Sequence, residues 1–219
     1  MDPFRLALAM GPLAVYLLIL GYVNLRARPL VTTGTRDTAL LAFAVFGLVL
    51  VGPMELFLPP AAQFRFGGYV WPMLAAFYGL CVTLWILLAR PRLVVYNISI
   101  GQLRPVLADL VATLDDKARW AGDGLVLPQL GVQLYLECFS PMRNVTLRSS
   151  GPDQSISGWR RLDAALGEAL SQVQVQRNPR GYSFLSMGVL MLGVIMWRVG
   201  THPDLVNQAL RQMLPGWKL

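Results

Sequence analysis

Long apolar runs and one mixed stretch divide the chain. Residues 6–23, 39–58, 69–89 and 182–199 are dominated by aliphatic and aromatic side chains. Each approaches or exceeds the ~20 apolar residues that a helix needs to cross the hydrocarbon core of a bilayer. Between the third and fourth runs, residues 92–178 alternate apolar and polar positions as a water-soluble fold does. The fold class expected is therefore an integral membrane α-helical protein of four transmembrane helices. A small α/β two-layer cytoplasmic domain is inserted between the third and fourth spans.

Within that domain the periodicity names the elements. Leu93–Ile98 is a continuous β-rich run and predicts a buried strand. Leu103, Leu107, Leu110, Val111, Leu114 and Ala118 recur at helical spacing. Gly122-Asp123-Gly124 turns the chain into Leu125–Leu127. Val132, Leu134, Leu136 and Cys138 then alternate with Gln133, Tyr135 and Glu137, the period of a half-buried strand. Asn144–Ser149 is a shorter strand, and Trp159, Leu162, Leu166, Ala169, Leu170 and Val173 make the stripe of a second helix. The order is β-α-β-β-β-α. With one apolar face on each helix, a sheet covered by both helices is the simplest arrangement.

The punctuation between elements is equally specific. Val31–Thr38, rich in Thr and Gly, reads as a polar turn between the first two spans. Pro59-Pro60 ends the second span, since proline cannot continue the hydrogen-bond ladder. Gly11-Pro12 and Gly52-Pro53 read as kinks near helix ends. Residues 203–214 place Leu205, Val206, Ala209, Leu210, Met213 and Leu214 on one face and Asn207, Gln208, Arg211 and Gln212 on the other, an amphipathic interfacial helix with Trp217 beyond it. The first run lacks a strongly basic leader and a small-residue cleavage site, so it reads as an uncleaved span rather than a signal peptide.

Composition agrees with this pattern. Hydrophobic residues make up 55% of the 219 and charged residues only 14%. The net charge of +7 is not spread over the soluble stretch, where Arg92 to Arg177 holds nine basic against eight acidic residues. The excess flanks the spans at Arg26, Arg28, Arg36, Arg90 and Arg180, where topology determinants belong, so no nucleic-acid partner is expected. Those flanks predict a cell (inner) membrane protein with the N-terminus outside, the soluble domain cytoplasmic and the C-terminus outside. Seventeen arginines against two lysines suggest a GC-rich bacterial source.

Candidate chemistry is sparse. Cys81 and Cys138 are too few for a disulfide framework, and His202 has no second imidazole to join. Asp115, Asp116 and Asp123 match no calcium-loop spacing. Phosphate-binding loops, nucleophile elbows and His-Glu zinc helices are absent from the sequence. No catalytic residue, cofactor or metal is expected. Glu55 is the one acid within a span, with Arg5 and Arg198 near the same outer boundary as candidate ion-pair partners. Trp159, Arg160 and Arg161 form a candidate interaction surface for anionic headgroups or an acidic partner. The expected partners are the lipid bilayer and protein subunits. The function expected is non-enzymatic, an accessory, scaffold or assembly subunit of a larger membrane complex. A membrane-bound sensor or small-ligand-binding protein is the alternative, and an oligomeric small transporter or channel is a third.

Overall fold

A computed structural model describes residues 2–54, 69–152 and 154–213 of the chain. In chain order the elements are α1 (Pro3–Leu25), β1 (Leu30–Thr33), α2 (Gly34–Val49), α3 (Val70–Leu88), β2 (Arg92–Tyr96), α4 (Ile100–Leu114), β3 (Arg119–Ala121), β4 (Gly124–Leu127), β5 (Val132–Phe139), β6 (Asn144–Ser149), α5 (Ile156–Ser171), α6 (Arg180–Thr201) and α7 (Pro203–Met213). The chain is mostly helical with one six-stranded antiparallel sheet. It divides into two compact units, one of residues 1–19, 39–88 and 184–219, the other of residues 20–38 and 89–183.

Among the described residues, four helices are long and apolar enough to cross a membrane by length and composition, with mean hydropathies of 1.6 to 2.1. They are Pro3–Leu25, Gly34–Gly52, Val70–Leu88 and Arg180–Thr201. In the first unit α1 and α2 touch closely at Gly47, where any β-carbon would collide with the Leu8 carbonyl. On α3, Tyr78 donates to the Ala42 carbonyl at 2.7 Å, and its ring tilts against Phe46 with centroids 5.4 Å apart. The rest of α3 packs sparsely, leaving Phe77, Leu80, Leu84 and Trp85 exposed. At Leu50–Met54 α2 widens into a π turn, where Pro53 has no amide hydrogen for the ladder. The second span's end near residue 58 and the loop 61–68 lie outside the described residues.

In the second unit the sheet runs β1-β2-β6-β5-β4-β3. One face carries Val95, Leu93, Leu147, Val145, Leu136, Leu134, Leu125 and Leu127, none more than 6% exposed. α4 closes that face with Leu103, Leu107 and Val111, and α5 with Leu162, Leu166 and Leu170. The stripes have helical spacing because residues three and four apart share a side. Each α-helix start has a local cause: Gln102 Oε1 accepts from the Ser99 amide at 3.3 Å, and Ser155 Oγ accepts from the Gly158 amide at 3.2 Å.

The sheet corrects the expected order in two places. Val31–Thr38 is not a polar turn. Its first residues belong to β1, paired antiparallel with β2 through Leu30↔Tyr96 to Thr33↔Leu93, and its last five begin α2. Arg119–Ala121 adds β3, paired with β4 across a turn at Gly122-Asp123 in which Gly122 takes φ +63°. Six strands therefore stand where the alternation marks four.

Candidate functional site

Three asparagines build the first notable polar arrangement, all within the second unit. The last turn of α1 ends in Asn24, whose Nδ2 donates to the Leu20 carbonyl at 2.8 Å. The segment after α5 runs antiparallel to the segment after α1: Val175 donates its amide to the Ala27 carbonyl at 2.8 Å and Asn178 to the Asn24 carbonyl at 3.0 Å. Asn178 Nδ2 donates to Asn24 Oδ1 at 3.0 Å, and Asn178 Oδ1 accepts from the Arg180 amide at 3.2 Å, which caps the start of α6. Asn97 closes the turn after β2 with φ +59°, a left-handed conformation that asparagine tolerates, and its Nδ2 reaches the Arg26 carbonyl at 2.7 Å. All three are fully or almost fully buried. Burying an amide is costly unless it is bonded. Asn97 Oδ1 is buried without a partner among the described residues, while the other bonds tie the end of α1 and the start of α6 to the sheet.

A second anchor fixes the start of α2. Gly34 follows β1 directly, and the Arg92 side chain lies across it, in the place a β-carbon would occupy. The Arg92 guanidinium then donates to Asp37 Oδ2 at 3.2 Å and Thr38 Oγ1 at 3.0 Å, while the Tyr96 hydroxyl donates to Asp37 Oδ1. Asp37 sits in the first turn of α2, where a negative charge also favours the helix dipole.

The sheet face away from α4 and α5 is polar and half-exposed. Arg148 Nη1 lies 3.4 Å from Glu137 Oε1, and the Tyr135 hydroxyl donates to the same carboxylate at 2.8 Å. The hydrogen bond to Glu137 raises the Tyr135 pKa above its usual value, with desolvation and the Glu137 charge adding and Arg148 opposing. Phe139, at the end of β5, is 56% exposed.

The residues singled out from sequence scatter. Trp159 is not on the surface: it is 5% exposed, packs in the core and donates from Nε1 to Gln154 Oε1 at 2.9 Å. Its place in the α5 stripe, three before Leu162 and seven before Leu166, dictates this. Arg160 and Arg161 are exposed. Arg5 is half-buried in the first turns of α1, and Arg198 is exposed near the end of α6, its guanidinium carbon 5.9 Å from the Trp197 ring centroid. Glu55 lies outside the described residues. Asp115 is buried and accepts from the backbone amides of Lys117, Gln129 and Leu130, the work of a turn organiser. Asp123 pairs with Arg104 at 3.3 Å. Cys81, Cys138 and His202 are exposed. Among the described residues no group of three or more His, Cys, Asp or Glu side chains is placed to hold a metal ion.

The asparagine network was invisible to periodicity, because single polar residues beside spans are unremarkable. The one available signal was repetition: an Asn stands at the end of α1, at the end of β2 and just before the Pro179 that precedes α6. No protein-family model, curated protein or solved structure matches the chain.

Proposed function

We propose that this chain is an accessory, scaffold or assembly subunit of a larger membrane complex, without a catalytic step of its own. Its four apolar helices cross the bilayer, and the exposed Phe77, Leu80, Leu84 and Trp85 of α3 face lipid or a partner helix, since such a surface is a liability in water. Arg26, Arg28, Arg36, Arg90, Arg92, Arg177 and Arg180 flank these helices on one side. By the positive-inside rule that side is the cytoplasm, with both chain ends outside the inner membrane.

The observation that carries the reading is β1. The connection between two candidate spans is itself a strand of the soluble domain's sheet, four residues after α1 and directly before α2. The half-exposed face of this sheet, with Tyr135, Glu137 and Arg148, then serves as a docking surface for a partner subunit. The test is gentle detergent extraction, native mass determination and identification of each co-migrating chain. A stoichiometric partner that is lost from Tyr135→Ala/Glu137→Lys, while the variant stays in the membrane, supports the reading. A lone monomer or homo-oligomer contradicts it.

The same bonds would let a domain that binds a small molecule move the helix ends, so a sensor is the second reading. A ligand that protects the full chain from thermal unfolding would favour it.

A further inference from the structure

The two antiparallel segments beside the asparagine network carry an unusual charge. Arg26 and Arg28 stand on one, Arg177 and Arg180 on the other, and the Val175–Ala27 and Asn178–Asn24 backbone bonds hold the two side by side. The helix ends meet as well: a β-carbon on Gly181 would lie 2.9 Å from the Gly21 carbonyl oxygen, so only glycine allows this approach. Arg143 braces the second segment by donating to the Gln176 carbonyl at 2.9 Å. Arg28, Arg177 and Arg180 are exposed and Arg26 half-exposed. Among the described residues, none of the four forms a salt bridge with a carboxylate, unlike Arg92, Arg104 and Arg148.

Two aromatic residues mark the same level. Tyr22 in the last turn of α1 is 64% exposed, and Tyr182 in the first turn of α6 is 62% exposed. Tyrosine concentrates where hydrocarbon meets headgroups, because its ring is apolar and its hydroxyl polar. These four guanidiniums, without a carboxylate partner among the described residues, lie two to six residues beyond the rings along the chain, on the polar side. An arginine fork binds phosphate oxygens through paired N–H donors.

We propose that the paired segments 24–28 and 175–180 form a site for anionic phospholipid headgroups. Arg26, Arg28, Arg177 and Arg180 bind the phosphate, and Tyr22 and Tyr182 sit at the glycerol level. Charge complementarity selects an anionic partner, and direct continuation of both segments into candidate spans selects a lipid over a soluble one. The proposal rests on the membrane reading given above.

The test uses the full chain in nanodiscs and detergent, with phosphatidylglycerol and phosphatidylcholine as probes and native mass spectrometry to count retained lipids. The wild type retains phosphatidylglycerol preferentially. Arg177→Gln/Arg180→Gln lowers that preference by about tenfold or more, the scale of two arginines at an anionic surface. Lys117→Gln/Arg119→Gln removes the same charge from exposed positions at and just before β3 and keeps the preference, while Arg177→Lys/Arg180→Lys retains most of it and controls for folding. No preference in the wild type, or equal losses in the two Gln pairs, overturns the site. A chain that washes off membranes at alkaline pH instead overturns the membrane reading, so the two failures are distinguishable.

Discussion

Asn178 donates its side-chain amide to Asn24 Oδ1 at 3.0 Å across 154 residues of sequence, and both side chains are buried. The bond joins the last turn of one candidate span to the residue just before another. Removing one partner leaves the other's polar atoms unsatisfied, which costs more than the bond contributes. Asn24→Ala and Asn178→Ala should each destabilise the second unit by about 1–3 kcal/mol in equilibrium unfolding of the detergent-solubilised chain. The double variant should lose less than the sum, because each single change already breaks the shared bond. Additive losses would show that the two side chains act separately.

Two glycines of α5 should respond in opposite directions. At Gly158 a β-carbon would collide with the Leu130 carbonyl and crowd Val132 at 2.9 Å, and backbone cannot move aside cheaply. Gly158→Ala should cost about 1–3 kcal/mol, the range for overpacking. At Gly167, further along the same helix, nothing lies within 4 Å. Gly167→Ala should stabilise by about 0.5–1 kcal/mol through the lower backbone entropy of the unfolded chain. Matched thermal melts of the two variants check both signs.

Asp163 on α5 gives a pH-dependent prediction. Partial burial raises its carboxyl pKa above the ordinary 3.8, and the charge of Arg36 opposes the rise without cancelling it. A raised folded value means that the folded chain holds the proton more tightly than the unfolded chain. The associated stability is fully present below 3.8 and is lost as pH rises through the folded value. At neutral pH the ionised carboxylate is therefore a net cost. Asp163→Asn should stabilise the chain there, within about 0.5 kcal/mol given the solvent screening of a mostly exposed group. The gain should vanish in acid. An equal gain at both pH values would remove the carboxylate as its cause.

The apolar helices and the alternation of β5 were legible because each is a local pattern of many residues. Leu103, Leu107 and Val111 needed only their spacing to mark the buried face of α4. β1 was not legible. Leu30-Val31-Thr32-Thr33 is too short for a period of two to stand out, and Gly34 after it reads as a turn. What makes it a strand is pairing with β2 some sixty residues away, and no local window contains that information. β3 escaped for the same reason, with three residues beside a Gly-Asp-Gly turn. Trp159 belongs by spacing to the α5 stripe and by sequence neighbourhood to the candidate surface with Arg160 and Arg161, and its burial follows the stripe, as a core Trp beside exposed arginines. The asparagine network lies further still from sequence reasoning, since its members are distant residues that meet only after β1, β2 and α5 are in place.

β1 can be tested directly. Val31 packs against the domain core beside Val95, its register partner on β2. Val31→Asp places a carboxylate there and should destabilise the second unit by about 2 kcal/mol or more, whereas Thr35→Asp, at an exposed position in the first turn of α2, should be nearly neutral. Hydrogen exchange should show faster opening of β2 amides in Val31→Asp. Unchanged β2 protection would mean that β1 contributes nothing to the sheet.

The most direct test of the account is the side of the membrane on which the soluble domain lies. In a Cys81→Ala/Cys138→Ser background, which removes the two exposed native thiols, single cysteines are introduced at the exposed Glu168 on α5 and the exposed His202 between α6 and α7. Intact cells are treated with a membrane-impermeant thiol reagent, then permeabilised and treated again. The account predicts that Glu168→Cys reacts only after permeabilisation and His202→Cys reacts before it. The reverse pattern, or reaction of both in intact cells, would contradict the account.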